Sequence, residues 1–136
     1  MGIIHSTISF KDSGLAGIQA CQRDWSYCDD NDMLFYNGMA AMAKDTNSLL
    51  FLKKIMETCI FWFYILSTSK PYGTNHYSLA RNYIKKLGIP RISQEELNVV
   101  IEKSCAEFEK WLIQQYDLTS EDVKIIKQVT KDKNIG

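Results

Sequence analysis

Apolar and polar residues alternate near the start of the chain, in residues 3–10. Ile4, Ile8 and Phe10 fall on one side of an extended chain, and small polar residues fall on the other. No second alternating segment of this quality follows, and a single strand cannot pair its own backbone groups. The pattern predicts either a strand that pairs with a short segment of weaker pattern, or an extended arm that lies on helices or on another subunit.

From residue 13 onwards the apolar residues recur every three or four positions, which is the period of an amphipathic helix. A first helix is predicted from Ser13, and a second over residues 33–43, directly after an acidic run. A third is predicted to begin at Asn47 or Ser48, two residue types that cap helices, and to run without a break to about residue 66.

Three further helices are predicted in the second half of the chain. The fourth covers residues 77–87 and is ended by Gly88, a typical helix stop. Ser93 begins a capping-box pattern and with it the clearest helix of the sequence, which is predicted to continue to Tyr116. A last, short helix is predicted to start at Thr119 and to turn its apolar side inwards.

Five or six helices joined by short connections predict an all-α or mainly α protein. No linker or internal repeat divides the sequence, so residues 1–136 are predicted to form one helical bundle with a short extended N-terminal segment. The lysine-rich end, residues 131–136, is predicted to be a frayed tail.

Four aromatic residues in succession, Phe61, Trp62, Phe63 and Tyr64, place large rings on every side of the third helix. A helix end that is apolar all round must be covered. These residues are therefore predicted to form the centre of the core or the contact of a homodimer.

Charge is balanced overall but segregated along the chain. The 16 basic and 16 acidic residues give a formal net charge of zero, which excludes a uniformly basic nucleic-acid-binding protein. Residues 1–46 carry a net charge of −3, residues 47–92 of +6, and residues 93–136 of −3. The basic middle either packs beside acidic neighbours or forms a basic face for an acidic partner, exposed between Lys70 and Arg91.

The four cysteines are predicted to be buried, reduced thiols of a cytoplasmic protein, because the start of the chain lacks a secretory signal. Cys59 lies in an apolar segment, and Cys105 falls on the apolar face of the long helix. The longest apolar run, from Cys59 to Leu66, is much shorter than the roughly 20 residues that span a bilayer. No membrane segment is predicted.

Residues suited to metal binding or covalent catalysis are sparse. His5 and His76 are the two histidines, no Cys-x-x-Cys pair occurs, and the acidic residues 29–32 lack the glycine and distal glutamate of a calcium loop. Helix capping explains that acidic run. Neither a phosphate-binding glycine loop nor an activated nucleophile is recognisable. The sequence therefore predicts no metal, cofactor or catalytic residue and favours a protein that is not an enzyme.

A turn at residues 69–75 leads into the fourth helix and gathers polar and aromatic side chains. Amides at a helix start can hold an anion, and a histidine there titrates near neutrality. The residues predicted to bind a ligand or partner are Tyr72, Asn75, His76, Tyr77, Arg81, Lys85 and Lys86. The alternative is a capped turn whose tyrosines pack at the edge of the core.

The leading functional hypothesis is a small protein-binding module, such as an inhibitor, an immunity-type protein or an adaptor, that acts through a helical surface. Its partner is another protein, with a homodimer as a further hypothesis. The alternative is a binder of a small anionic or nucleotide ligand at the 72–86 turn and helix. Nucleic acid is less favoured, because three arginines stand against 13 lysines and the helix after the 87–90 turn is acidic. No motif resembles a known family.

Overall fold

The computed structural model of this chain describes most of its residues, namely 4–8, 39–43, 45–71, 77 and 81–132. The described residues form two strands and six helices, which confirms the mainly α class. In chain order the elements are β1 (Ile4–Ile8), β2 (Met39–Ala43), α1 (Thr46–Met56), α2 (Cys59–Thr68), α3 (Arg81–Ile84), α4 (Gln94–Val100), α5 (Cys105–Gln115) and α6 (Ser120–Asp132). The helix predicted from Ser13 lies outside the described residues.

The two strands pair antiparallel, with Ile4 opposite Ala43 and Ile8 opposite Met39. β1 is the strand that the alternating pattern indicated, and its partner is a short segment of weaker pattern. The helix predicted over residues 33–43 is therefore wrong for residues 39–43. Alanine and methionine favour a helix in isolation. Pairing with β1 overrides that preference because it satisfies backbone groups of both segments.

A corner divides the third predicted helix into α1 and α2, so the unbroken helix to residue 66 is wrong. α1 is capped by Asp45, whose side chain accepts a hydrogen bond from the amide of Ser48, and not by Asn47 or Ser48. At the corner the buried hydroxyl of Thr58 donates to the carbonyl oxygen of Ile55 at 2.6 Å and accepts from the amide of Phe61 at 3.3 Å. One side chain thus satisfies groups of two helix ends.

A second corner divides the long helix predicted from Ser93 to Tyr116 into α4 and α5. Ser93 caps α4 as predicted, accepting from the amide of Glu96 at 3.1 Å. The chain then turns, and Ser104 forms a complete capping box with Glu107 at the start of α5. The sequence pattern Ser-x-x-Glu that signals this second start is present at residues 104–107, but the continuous apolar stripe obscured it.

The fourth predicted helix is shorter than expected, since α3 ends at Ile84. Tyr77 was expected at its start, but it forms an isolated antiparallel bridge with Pro71. The last helix is confirmed at its start, where Thr119 and Asp122 exchange hydrogen bonds. It is not short as predicted, because α6 has 13 residues and continues to Asp132, two residues into the predicted tail.

The core consists of two neighbouring groups of buried side chains. The first is built from the corner and α2, with Met56, Phe61, Trp62 and Ile65. The second joins α1, α4 and α5, with Phe51, Ile55, Leu97, Val100, Phe108 and Leu112. Leu87 packs against both groups and so ties the connection after α3 to the core. α6 lies against α2, with Ile126 buried.

The thiols differ from the prediction of burial. Cys105 is exposed and Cys59 is half-buried, while Cys21 and Cys28 lie outside the described residues. Cys105 is the first residue of α5, and the corner before it turns this position away from the apolar stripe of α4. None of the helices in the described ranges is both long and apolar enough to cross a membrane.

Candidate functional site

The residues predicted to bind a ligand are only partly described. Tyr72, Asn75 and His76 lie outside the described residues, as does the side chain of Arg81, which begins α3. Tyr77 is half-buried and packs against the first core group. Lys85 and Lys86 are exposed in the turn after α3. An anion site at the 72–86 turn and helix therefore stays a prediction.

The aromatic run predicted as core or subunit contact lies in α2. Phe61 and Trp62 are buried within the chain, at 0% and 1% exposure. Phe63 and Tyr64 are half-buried, and the hydroxyl of Tyr64 donates to the carbonyl oxygen of Tyr83 at 2.8 Å. The run thus supplies the core, and only its second half reaches the surface.

The connection between α3 and α4 combines inward apolar and outward basic side chains. Leu87 and Ile92 are half-buried against the core. The exposed side chains here are those of Lys85, Lys86, Ile89 and Arg91, which we call the basic patch. Ile89 is 45% exposed and supplies an apolar group among three cations.

The basic patch is carried by a segment that is fixed at several points. The amide of Leu87 donates to the carbonyl oxygen of Ile84 at 3.0 Å, and the hydroxyl of Tyr116 donates to the carbonyl oxygen of Gly88 at 2.5 Å. Burial raises the pKa of Tyr116 above its usual value of 10.0. The four side chains of the patch therefore project from a held backbone.

No carboxylate among the described residues neutralises the basic patch. Within that part of the chain the one salt bridge joins Lys53 to Glu57, on α1 and the corner that follows it. The three cations of the patch accordingly face solvent, where they can attract an acidic surface.

An acidic surface follows the basic patch directly. α4 and the turn after it bury Leu97 and Val100, and they expose Glu95, Glu96, Val99 and Glu102, which we call the acidic face. Val99 is 63% exposed, the highest value among the large apolar side chains exposed in the described residues. The basic patch and the acidic face are each a short segment of the chain that exposes three charges of one sign and one aliphatic side chain.

Sequence reasoning located the cations of this region but missed its apolar residues. The positive excess was assigned to the stretch that ends at Arg91, whereas Ile89 and Val99 received no role. The sequence nevertheless contains an indication that each of these side chains is exposed. Ile89 lies between Gly88 and Pro90, where a helix cannot continue. The helical period of α4 places Val99 opposite the buried Leu97 and Val100.

A groove of about 380 Å³ lies between the α1–α2 corner and the first turn of α5. It is lined by Lys54, Glu57, Thr58, Cys105, Ala106, Phe108 and Glu109. Two of its polar side chains form hydrogen bonds between helices or their ends. The ammonium of Lys54 donates to the carbonyl oxygen of Lys103 at 2.7 Å. A carboxylate oxygen of Glu109 accepts from the amide of Cys59 at 3.3 Å. Lys54 also lies 5.6 Å from the ring centre of Phe108. These contacts make the groove a helix junction.

The described part of the chain contains no group of three or more histidine, cysteine, aspartate or glutamate residues placed to hold a metal ion. No family model, curated protein or solved structure matches this chain. The described residues form a mainly α protein that exposes the basic patch and, directly after it along the chain, the acidic face.

Proposed function

We propose that this chain is a small protein-binding module, of the class that includes inhibitors, immunity-type proteins and adaptors. The binding surface is the basic patch together with the acidic face. The observation that carries the proposal is the basic patch: Lys85, Lys86, Ile89 and Arg91 are all exposed on one short segment held by Leu87 and by the hydroxyl of Tyr116.

Rigidity and charge favour recognition of a protein here. A segment that is already fixed loses little conformational freedom on binding, which improves affinity without further contacts. Segregated charges speed encounter with a complementary surface and disfavour surfaces of like charge. An exposed aliphatic side chain surrounded by charged groups offers an apolar centre with a polar rim, the usual anatomy of an interface.

The partner proposed for the basic patch is a protein that presents carboxylates around an apolar side chain. A cytoplasmic location remains part of the proposal, and it is supported by the exposed Cys105, which is a thiol and not disulfide-bonded. The proposal assigns no catalytic step to the chain.

Affinity capture from the extract of the native cell tests the proposal with matched charge variants. The immobilised wild-type chain is compared with Lys85→Glu/Lys86→Glu/Arg91→Glu. The control is Lys124→Glu/Lys127→Glu/Lys131→Glu, which makes the same change of charge at three exposed positions of α6. Quantitative mass spectrometry measures the retained proteins.

We expect a protein that the wild type and the α6 control both retain and that the basic-patch variant loses. Raising the ionic strength from about 0.05 M to about 0.5 M releases that protein, because salt screens exposed charges. Retention of the same proteins by all three chains, or of none by the wild type, contradicts the proposal.

A further inference from the structure

The chain itself carries the surface that the basic patch requires in a partner. The acidic face presents Glu95, Glu96 and Glu102 around Val99, and these are the carboxylates and the apolar side chain that complement three cations around Ile89. We infer that the partner is a second copy of this chain, in a two-fold dimer. This inference rests on the proposed function and names its partner.

Two-fold symmetry makes the pairing double. In a two-fold contact both copies use the same surface. Each contact between a residue of one copy and a residue of the other therefore occurs twice. The basic patch of one copy faces the acidic face of the other, and the reverse contact forms at the same time. Ile89 of each copy meets Val99 of its partner, which removes two exposed aliphatic side chains per copy from water.

The charges of the chain permit this association. The formal net charge is zero, so two copies approach without overall repulsion. Among the described residues, neither the basic patch nor the acidic face forms a salt bridge within its own chain. Both sets of charges are exposed in this part of the chain.

The number of residues in the surface sets the expected strength of the association between two copies. Stable interfaces involve roughly 20–30 residues a side, and the basic patch and acidic face together expose eight. We therefore expect a weak dimer that forms as the concentration rises from about 1 µM to about 500 µM and that dissociates at high salt.

Exchanging the charges tests the contact, and a mixture of the second variant with the α6 control, which has the same net charge as the first variant, is the reference for non-specific attraction. The first variant is Lys85→Glu/Lys86→Glu/Arg91→Glu, which makes both surfaces acidic. The second is Glu95→Lys/Glu96→Lys/Glu102→Lys, which makes both surfaces basic. Each variant alone repels its own copy, and we expect its association constant to fall by at least about 100-fold. An equimolar mixture restores two attractive contacts and returns the association constant to within about tenfold of the wild type.

Sedimentation equilibrium and light scattering measure the mass of each chain and of the mixture. Circular dichroism confirms that each variant is folded.

The second variant alters the first turn of α4, where acidic residues favour the helix start. Val99→Lys/Glu102→Lys spares that turn, removes the exposed aliphatic side chain and leaves the acidic face without net charge, so we expect it to associate more weakly than the wild type. The α6 control, Lys124→Glu/Lys127→Glu/Lys131→Glu, carries the same net charge as the first variant, and we expect it to associate more strongly than that variant.

Three results overturn the inference: a wild type that stays monomeric at the highest concentration, a dimer that both variants still form, or folded variants whose mixture stays monomeric. A monomeric wild type that still captures a protein through the basic patch refutes the homodimer and leaves the proposed function standing. A monomer that captures none refutes both.

Discussion

Two hydroxyl groups at buried or half-buried positions hold the connections on which this surface depends. Thr58 joins the end of α1 to the start of α2, and Tyr116 joins the end of α5 to Gly88 in the segment that carries the basic patch. None of these hydrogen bonds could be predicted from apolar periodicity. Each depends on one hydroxyl group that lies against the backbone of another element or turn.

Replacing Thr58 by valine keeps the shape of the side chain and removes both hydrogen bonds of the hydroxyl. We expect the free energy of unfolding to fall by about 1–3 kcal/mol, since the backbone groups at the corner are buried. Urea unfolding measures the change. Thr58→Ser is the control, because it retains the hydroxyl and should lose less than the valine variant. Equal stability of Thr58→Val and the wild type would show that the hydroxyl does not hold the corner.

Replacing Tyr116 by phenylalanine removes the bond to Gly88. We expect a loss of about 0.5–1.5 kcal/mol and faster amide hydrogen exchange in residues 88–92. If exchange in these residues is unchanged, the segment is held by its apolar contacts alone.

Tyr116 also gives the stability of the chain a dependence on pH. Burial raises its pKa in the folded state above the usual 10.0, so folding favours the protonated phenol. Its contribution is complete below about pH 10 and is lost as the pH rises through the raised pKa. The free energy of unfolding, measured from about pH 9 to about pH 12, should therefore fall more steeply for the wild type than for Tyr116→Phe. Parallel curves would contradict this.

At the scale of elements, corners and caps decide the architecture more than helix periodicity does. The apolar stripe ran through both corners and predicted single helices, whereas Thr58 and Ser104 each start a new helix. β2 shows the same effect, because the helix preference of its alanines yields to pairing with β1. The inward positions of α4, α5 and α6 were predictable, since each has a regular apolar side and a cap at its start.

The capping box at Ser104 supplies a prediction for α5. Hydrogen bonds from the backbone amide and then from the side chain of Ser104 hold the pKa of Glu107 below its usual value of 4.5. Ser104→Ala should lower the free energy of unfolding by about 0.5–2 kcal/mol and let that pKa rise. Ser104→Thr keeps an oxygen at the cap and should resemble the wild type.

The sign of the pH effect follows from the lowered pKa. Because folding favours the ionised Glu107, its contribution is present above about pH 4.5 and is lost as the pH falls through the lowered value. The stability difference between the wild type and Ser104→Ala should shrink in acid. A carbon-detected NMR titration of Glu107 gives the pKa in both proteins, and an unchanged pKa would show that the hydroxyl of Ser104 does not act on the carboxylate.

At the scale of the whole molecule, the zero net charge is divided between surfaces of opposite sign. The sequence located the positive excess and its outer end at Arg91, but it could not show which apolar side chains stand among the charges. That depends on where Leu87 and Ile92 are buried, which is a property of the folded core.

The ligand residues predicted at the 72–76 turn remain predictions. They would be supported by a nucleotide or phosphate that raises the melting temperature of the wild type and does not raise that of His76→Ala/Arg81→Ala.

The most direct test of the central claim, that two copies of the chain associate through residues 85–102, is a dilution series followed by amide NMR. Spectra of the isotope-labelled wild type are recorded from about 500 µM down to about 20 µM, across the range expected for a weak interface. We predict progressive shift changes that concentrate in the basic patch and the acidic face, leave the exposed side of α6 unchanged, and vanish at high salt. Shifts that do not change with concentration, or that concentrate elsewhere on the chain, would contradict the claim.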